Sequence, residues 1–220
     1  MEKKKKLRAL VTSSVLIALG TAISLVCEWI PGLNLPFGGT ITICSLLPLV
    51  LISWMYGISW GLVSGFIYSL FQMLVGYTTV AGLLTPDSDS YMGIGKALLI
   101  LLLDYILAFT VVGLGGMFRN WKSKTASLVC GALVSVTLCS VFHLLSGAIF
   151  YGAWAEWFFT DTAFAQLAVS KAILENVSGT ALSILYSLVY NGCYMIPEII
   201  ITAIGAAAVS RLPAIKKEVR

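Results

Sequence analysis

The sequence has very little charge and a single histidine. Charged residues make up 11% of its 220 residues, whereas an ordinary soluble domain has about 25%. Too few charges are present to cover a water-exposed surface, so the composition excludes a soluble globular protein. Hydrophobic residues make up 59% of the chain, and the mean hydropathy is +0.94. These values are typical of an integral membrane protein.

Motifs for several catalytic and binding classes are missing as well. The five cysteines form an odd set without C-x-x-C spacing and lie in or beside apolar runs, which indicates small buried hydrophobes and no metal site. Residues 93–97 are the nearest approach to a phosphate-binding loop, but they lack its upstream glycine and its final Ser or Thr. No basic stripe carries interleaved aromatics, which argues against nucleic-acid binding. We therefore expect no cofactor and no nucleotide site in this chain.

Long apolar segments are what the sequence has in abundance. A helix needs about 20 apolar residues to cross a hydrocarbon core roughly 30 Å thick. None of the segments alternates as a barrel strand would, so each crossing is predicted to be a helix. We expect an all-α integral membrane protein in which residues 1–220 form one domain of six transmembrane helices. The predicted spans are 7–30, 41–56, 60–80, 94–117, 127–150 and 178–209.

The basic residues predict the orientation of the chain in the membrane. Twelve of the 14 Lys and Arg residues lie near the N-terminus, at 119–124 or near the C-terminus. Six spans put these regions on one side, and the positive-inside rule makes that side, with both termini, cytoplasmic. The basic start followed by an apolar run resembles a secretory signal, but the run continues to Ile30, beyond the roughly 7 to 15 residues of a signal core. We interpret it as an uncleaved first helix.

Three ionisable residues lie well inside the predicted spans, away from the span ends: Asp104, His143 and Glu198. Such residues are costly in a membrane and mark either a wet binding site or a structural polar cluster. Helical spacing places further polar and aromatic groups on the same faces of the fifth and sixth spans. These groups are Gly147 and Tyr151 after His143, and Tyr186, Tyr190, Asn191 and Tyr194 on the sixth span.

Two interpretations of these residues remain open. A pocket with one carboxylate, an imidazole, an amide and several tyrosines suits a flat, hydrogen-bonding heteroaromatic ligand, particularly a cationic one. Alternatively, Asp104, His143 and Glu198 hydrogen-bond each other and only specify the bundle. Glu198 follows a proline deep in the last span, and we interpret it as structural.

Small residues repeat every four positions in two places. Gly57, Gly61 and Gly65 surround the start of the third span, and we expect them to pack within the bundle. Ser14, Ala18 and Ala22 form a stripe on the first helix. This stripe could pack inside the chain or contact another membrane subunit, and the sequence does not distinguish the two.

Four motifs resemble those of a known transporter family. They are residues 35–42 followed by Pro48, Asp104-Tyr105 with Ala108-Phe109, residues 143–147, and residues 190–198. On these motifs the chain resembles, nearly from end to end, the substrate-binding S components of energy-coupling factor transporters, and specifically their thiamine-specific branch.

The resemblance implies a thiamine site near the outer face, roofed by the loop after the first helix, with Asp104 facing the thiazolium cation. Tyr151 and Tyr68 stand where tryptophans occur in relatives, and the roof aromatic is Trp29 or Phe37. The site residues implied by the resemblance are Asp104, Tyr105, His143, Gly147, Tyr151, Tyr186, Asn191, Tyr68 and Trp29.

The implied function is capture of thiamine at the plasma membrane of a prokaryote for ATP-driven import. The implied partners are a transmembrane coupling subunit, docked on Ala18 and Ala22 with Ser14, and two ATP-binding-cassette ATPases. The chain itself is then no enzyme. Two alternatives remain: an S component for another vitamin such as riboflavin or biotin, and an intramembrane enzyme using His143 with Ser146 or a carboxylate.

Overall fold

The regular structure of the protein is helical. A computed structural model describes residues 2–35, 39–213 and 215, and no strand occurs within those ranges. The all-α fold class is thereby confirmed. The helices discussed below are α1 (Glu2–Trp29), α2 (Leu47–Tyr56), α3 (Ile58–Val75), α4 (Tyr77–Leu84), α5 (Ile94–Gly116), α6 (Lys124–Phe150), α7 (Ala155–Asp161), α8 (Ala168–Asn176) and α9 (Gly179–Val209).

Five helices in the described part of the chain are long and apolar enough to cross a membrane: α1, α3, α5, α6 and α9. They correspond to five of the six predicted spans. The third span was placed too far along the chain, because α3 ends at Val75 and α4 is a separate short helix. The number of six crossings and the cytoplasmic termini stay predictions, and Lys216, Lys217 and Arg220, which entered the charge argument, lie outside the described residues.

The second predicted span, 41–56, is only partly helical. Its helix α2 begins at Leu47, and Pro48 occupies the first turn, where a missing backbone N–H is tolerated. Ten helical residues rise about 15 Å, half of a hydrocarbon core. The preceding segment, residues 39–46, is irregular and includes Cys44 in the left-handed region at φ 63°. The expectation of a helix from residue 41 was therefore wrong.

Helix α2 lies at the centre of the bundle. Leu49, Val50, Ile52 and Trp54 are fully buried, and the Trp54 indole Nε1 donates to Ser127 Oγ of α6 at 2.8 Å. A short apolar helix of this kind can be enclosed on all sides by longer ones. It therefore forms the core around which the long helices pack.

Glycines allow the long helices to approach each other closely. A Cβ atom built on Gly61 would lie 2.5 Å from the Gly113 carbonyl oxygen, and one on Gly65 would lie 2.7 Å from that of Phe109. Both contacts join α3 to α5, which confirms that these glycines pack within the bundle.

Helix α5 changes its winding along its length. It is α-helical over Ile94–Ile100, π-helical over Leu101–Leu107 and 3-10 helical over Val112–Gly116. A π-helical stretch widens the turn and often occurs at functional sites. Asp104 and Tyr105 lie in this stretch.

Candidate functional site

A cavity of about 290 Å³ lies at the end of the bundle where α6 ends and α9 begins. This end is opposite to the basic segment that joins α5 to α6. Seven of the nine predicted site residues line the cavity, and they come from α5, α6, α9 and the residue that follows α6. The seven are Asp104, Tyr105, His143, Gly147, Tyr151, Tyr186 and Asn191.

The Asp104 carboxylate is held by two side chains of α6. His143 Nδ1 lies 3.1 Å from Oδ1, and Ser146 Oγ donates to Oδ2 at 2.7 Å. His143 and Ser146 are three residues apart and so face the same side of α6. The Asp104 side chain nevertheless keeps 19% of its surface exposed. A fixed carboxylate therefore faces the cavity, and no Lys or Arg is among the described residues that line it.

The amide of Asn191 ties α9 to α6 at the floor of the cavity. Its Nδ2 donates to the Ser187 carbonyl at 2.9 Å and lies 3.4 Å from the His143 carbonyl. Its Oδ1 accepts from the Tyr194 hydroxyl. A Cβ atom on Gly147 would lie 2.3 Å from Ser187 Oγ, so only glycine permits this approach of the two helices.

A row of tyrosines forms one wall of the cavity. Tyr186, Tyr190 and Tyr194 follow one another at four-residue spacing on α9, with ring centroids 5.6 Å and 6.0 Å apart. The His143 ring meets Tyr194 edge to face at 6.2 Å. Tyr151, just after α6, continues the wall, and burial raises the pKa of its phenol well above the usual range. The phenol stays neutral and can donate a hydrogen bond.

Two predicted site residues lie elsewhere. Tyr68 is buried in α3 beside Phe109 and lines a second cavity of about 290 Å³. The two cavities share Thr79, Tyr105, His143 and Tyr194 in their walls. Trp29 is 79% exposed at the end of α1 and lines neither cavity. Phe37, the other candidate for the roof, lies outside the described residues.

The second carboxyl group, Glu198, does not join Asp104. It is buried on α9 and accepts hydrogen bonds from Thr42 and, at 3.2 Å, from Thr202. The three ionisable residues therefore form a pair, Asp104 with His143, and a separate polar centre around Glu198. The structural interpretation of Glu198 fits these bonds.

Some lining residues were not identified from the sequence. Ile100 precedes Asp104 by four positions, so helical spacing alone could have found it. Thr79 and Leu83 come from α4, which folds back over the cavity after α3. No local pattern marks them, because their position depends on how the connecting segment packs.

The stripe on α1 is exposed along its length. Ser14, Ala18 and Ala22 do not pack into the bundle; they line a mostly apolar groove of about 860 Å³ between α1 and α3. Trp60 and Phe71 form the opposite side of this groove.

The site favours binding over nucleophilic catalysis. A serine nucleophile requires a base at its hydroxyl group. Ser146 and His143 instead bond different oxygens of Asp104, and among the described residues no hydrogen bond joins the imidazole to the serine hydroxyl group. The arrangement instead presents a carboxylate, hydrogen-bond donors and aromatic faces to a ligand, groups that suit a flat cationic ligand.

Comparison with known proteins gives three matches. Residues 14–159 match the family model described as thiamine transporter protein (Thia_YuaJ). The chain is 31% identical over 200 residues to the thiamine transporter ThiT of Bacillus subtilis, which covers 86% of this chain and 84% of that protein. A solved structure of ThiT from Listeria monocytogenes is similar in fold, with a TM-score of 0.64, 17% identity and 98% of each chain covered.

Proposed function

The chain belongs to the thiamine transporter protein family, and from that premise we propose that the cavity between α5, α6 and α9 is its thiamine site. As a member of this family with several helices able to cross a membrane, it is a multi-pass protein of a prokaryotic plasma membrane. It is a transport protein and not an enzyme.

The Asp104 carboxylate is the observation that carries the proposal. Thiamine has a permanently charged thiazolium ring and a flat aminopyrimidine ring. A carboxylate fixed by His143 and Ser146 is organised to attract the cation before it arrives. The tyrosine wall offers faces for ring stacking, and Asn191 and the tyrosine hydroxyls offer polar partners.

The basic residues between α5 and α6 argue for ligand capture at the outer surface. The basic segment with Arg119, Lys122 and Lys124 lies at the end of the bundle opposite to the cavity. The positive-inside rule places that segment in the cytoplasm and the cavity toward the outside.

Binding of a vitamin panel tests the proposal. The purified chain in detergent is titrated with thiamine, riboflavin and biotin by isothermal calorimetry, with intrinsic fluorescence as a second readout. We expect sub-micromolar affinity for thiamine and no comparable heat from the other two. Binding of riboflavin or biotin in place of thiamine would make the chain an S component for another vitamin.

We further propose that the exposed stripe on α1 docks on a transmembrane coupling subunit that works with two ATPases. Small residues let helices approach closely in a membrane, and Ser14, Ala18 and Ala22 are exposed and have room beside them. Ala18→Trp is expected to abolish thiamine uptake by cells that carry the coupling proteins while leaving thiamine affinity unchanged. Undiminished uptake would contradict this assignment.

A further inference from the structure

The irregular segment of residues 39–46 reaches far along the bundle: Gly39 and Ile43 are exposed, Thr42 is partly buried, and Ser45 and Leu46 are buried. Its Thr42 contacts Glu198, which comes nineteen residues after Gly179, the first residue of α9. At 1.5 Å per residue this is about 28 Å from the start of the helix. Thr42 therefore lies far from the end of the bundle at which α9 begins.

Backbone without helical bonds is tolerated at such depth only where protein groups satisfy it. Glu198 is one such partner, beside Cys27, whose Sγ accepts from the Ile43 amide at 3.4 Å. The Glu198 carboxyl group accepts from the Thr42 hydroxyl, and the backbone amides of Thr42 and Leu46 also interact with it. Thr42 Oγ1 lies 2.7 Å from Ser45 Oγ as well. One carboxyl group thus holds both ends of the turn 42–46.

A second contact joins the same segment to α9. Cys44 Sγ lies 3.4 Å from the carbonyl oxygen of Ile201, to which it donates. Cys44 has a positive φ of 63°, a conformation that persists only when its surroundings impose it. Gly205 provides room for the Cys44 side chain, since a Cβ atom on Gly205 would lie 2.7 Å from the Cys44 sulfur. The segment is held in this conformation by α9.

The other end of the segment contacts the wall of the thiamine cavity. A Cβ atom on Gly39 would lie 2.8 Å from Cδ1 of Tyr194. Tyr194 lines the cavity and donates to Asn191, the amide that joins α9 to α6. If the segment moved away, the Tyr194 ring would therefore lose its contact with Gly39.

We propose that Glu198 is a positioning residue for ligand retention, whose bond to Thr42 holds segment 39–46 against Tyr194 and so slows the release of bound thiamine. The inference rests on the proposed function and gives Glu198 a role in it without contact with the ligand.

Two threonine hydroxyl groups that donate to the same carboxyl group provide a matched test. Thr42 belongs to segment 39–46 and bonds Glu198 from there, whereas Thr202 bonds Glu198 from the next turn of α9 itself. Thr42→Val and Thr202→Val each remove one hydroxyl with little change in shape. Thr42→Ser retains the hydroxyl. For each purified variant, dissociation of radiolabelled thiamine is followed after addition of excess unlabelled thiamine, and the melting temperature is recorded.

We expect Thr42→Val to raise the dissociation rate about tenfold, the effect of one lost hydrogen bond to a carboxyl group. Thr202→Val and Thr42→Ser should stay within about twofold of the unmodified chain. If Thr42→Val yields no monodisperse protein, Glu198→Gln replaces it under the same criterion. Equal rates in both valine variants, or a Thr42→Ser rate as fast as that of Thr42→Val, would overturn the proposal. Failure of the unmodified chain to bind thiamine would overturn the proposed function and this inference together.

Discussion

Two carboxyl groups are enclosed by the same helical bundle, and their surroundings differ. Asp104 on α5 has two side-chain partners and a side chain 19% exposed to a cavity. Glu198 on α9 is 4% exposed as a residue and has hydroxyl and amide partners on two sides. Asp104 keeps an exposed face toward the tyrosine-walled cavity, while the carboxyl group of Glu198, in the wall of the second cavity, is bonded by groups of the protein.

The difference fits the two roles proposed above, ligand binding for Asp104 and positioning for Glu198. A carboxylate in a low-dielectric interior is stabilised only by partners, and removal of those partners is costly. Glu198 has its partners in the folded chain. Asp104 is incompletely enclosed, and a cationic ligand would complete its surroundings. Functional sites commonly give up stability in this way.

Substitution of Asp104 is expected to have the largest effect on thiamine affinity. A cation about 4 Å from a carboxylate at an effective dielectric constant near 20 gains about 4 kcal/mol. Asp104→Asn removes the charge and keeps the shape, so the Kd for thiamine should rise by about 100-fold to 1,000-fold in calorimetry. A thiamine analogue with an uncharged ring in place of the thiazolium should lose far less.

Glu198→Gln is the matched control, because it neutralises the other enclosed carboxyl group. Its Kd for thiamine should rise by no more than about tenfold. Similar losses in both variants would show that the comparison between the two carboxyl groups is wrong.

Replacement of Glu198 is expected to lower the free energy of unfolding more than replacement of Asp104. Glu198→Ala leaves the Thr42 and Thr202 hydroxyls and nearby amides without their acceptor, at a cost of about 2 kcal/mol. Asp104→Ala frees groups that border a cavity open to water, so its cost should be below about 1 kcal/mol. Thermal unfolding of both ligand-free variants in one detergent measures the difference. A larger drop in melting temperature for Asp104→Ala would contradict the assignment.

The smallest expected effect concerns the hydroxyl group that orients Asp104. Ser146→Ala removes the 2.7 Å bond to Oδ2 and leaves His143 in place. The carboxylate keeps its charge but loses part of its fixed direction, so thiamine affinity should fall about fivefold, equivalent to about 1 kcal/mol. Thr202→Val, which removes a hydroxyl from Glu198, is the control and should leave affinity within about twofold. Equal losses would mean that orientation of Asp104 contributes nothing specific.

Much of the site could be predicted because its residues lie on long regular helices. Four-residue spacing placed His143, Gly147 and Tyr151 on one face, and the structure brings these residues to one cavity. Thr79 and Leu83 could not be found this way, because α4 reaches the cavity through a turn that no periodic pattern describes. The roof assignment of Trp29 stays a prediction.

Residues 41–56 show the limit of hydropathy as a guide. The segment is apolar enough to suggest a crossing helix, but only Leu47–Tyr56 is helical. The irregular half is stable because Glu198, about 150 residues further along the chain, supplies acceptors for Thr42 and its neighbours. Hydropathy measures transfer into lipid and contains no information about such distant partners.

The class of this protein, the places of its long helices and the residue types of its site follow from the amino-acid sequence. Composition and helical period are local properties, so a single chain reveals them. Packing sets which carboxyl group stays partly exposed in the tyrosine-walled cavity and which one, in the wall of the second cavity, is bonded to segment 39–46. The difference depends on the neighbours of each group: His143, Ser146 and open space for Asp104, and the Thr42 hydroxyl with the amides of turn 42–46 for Glu198. Spacing along the chain places the two carboxyl groups in the membrane, and packing gives them different roles.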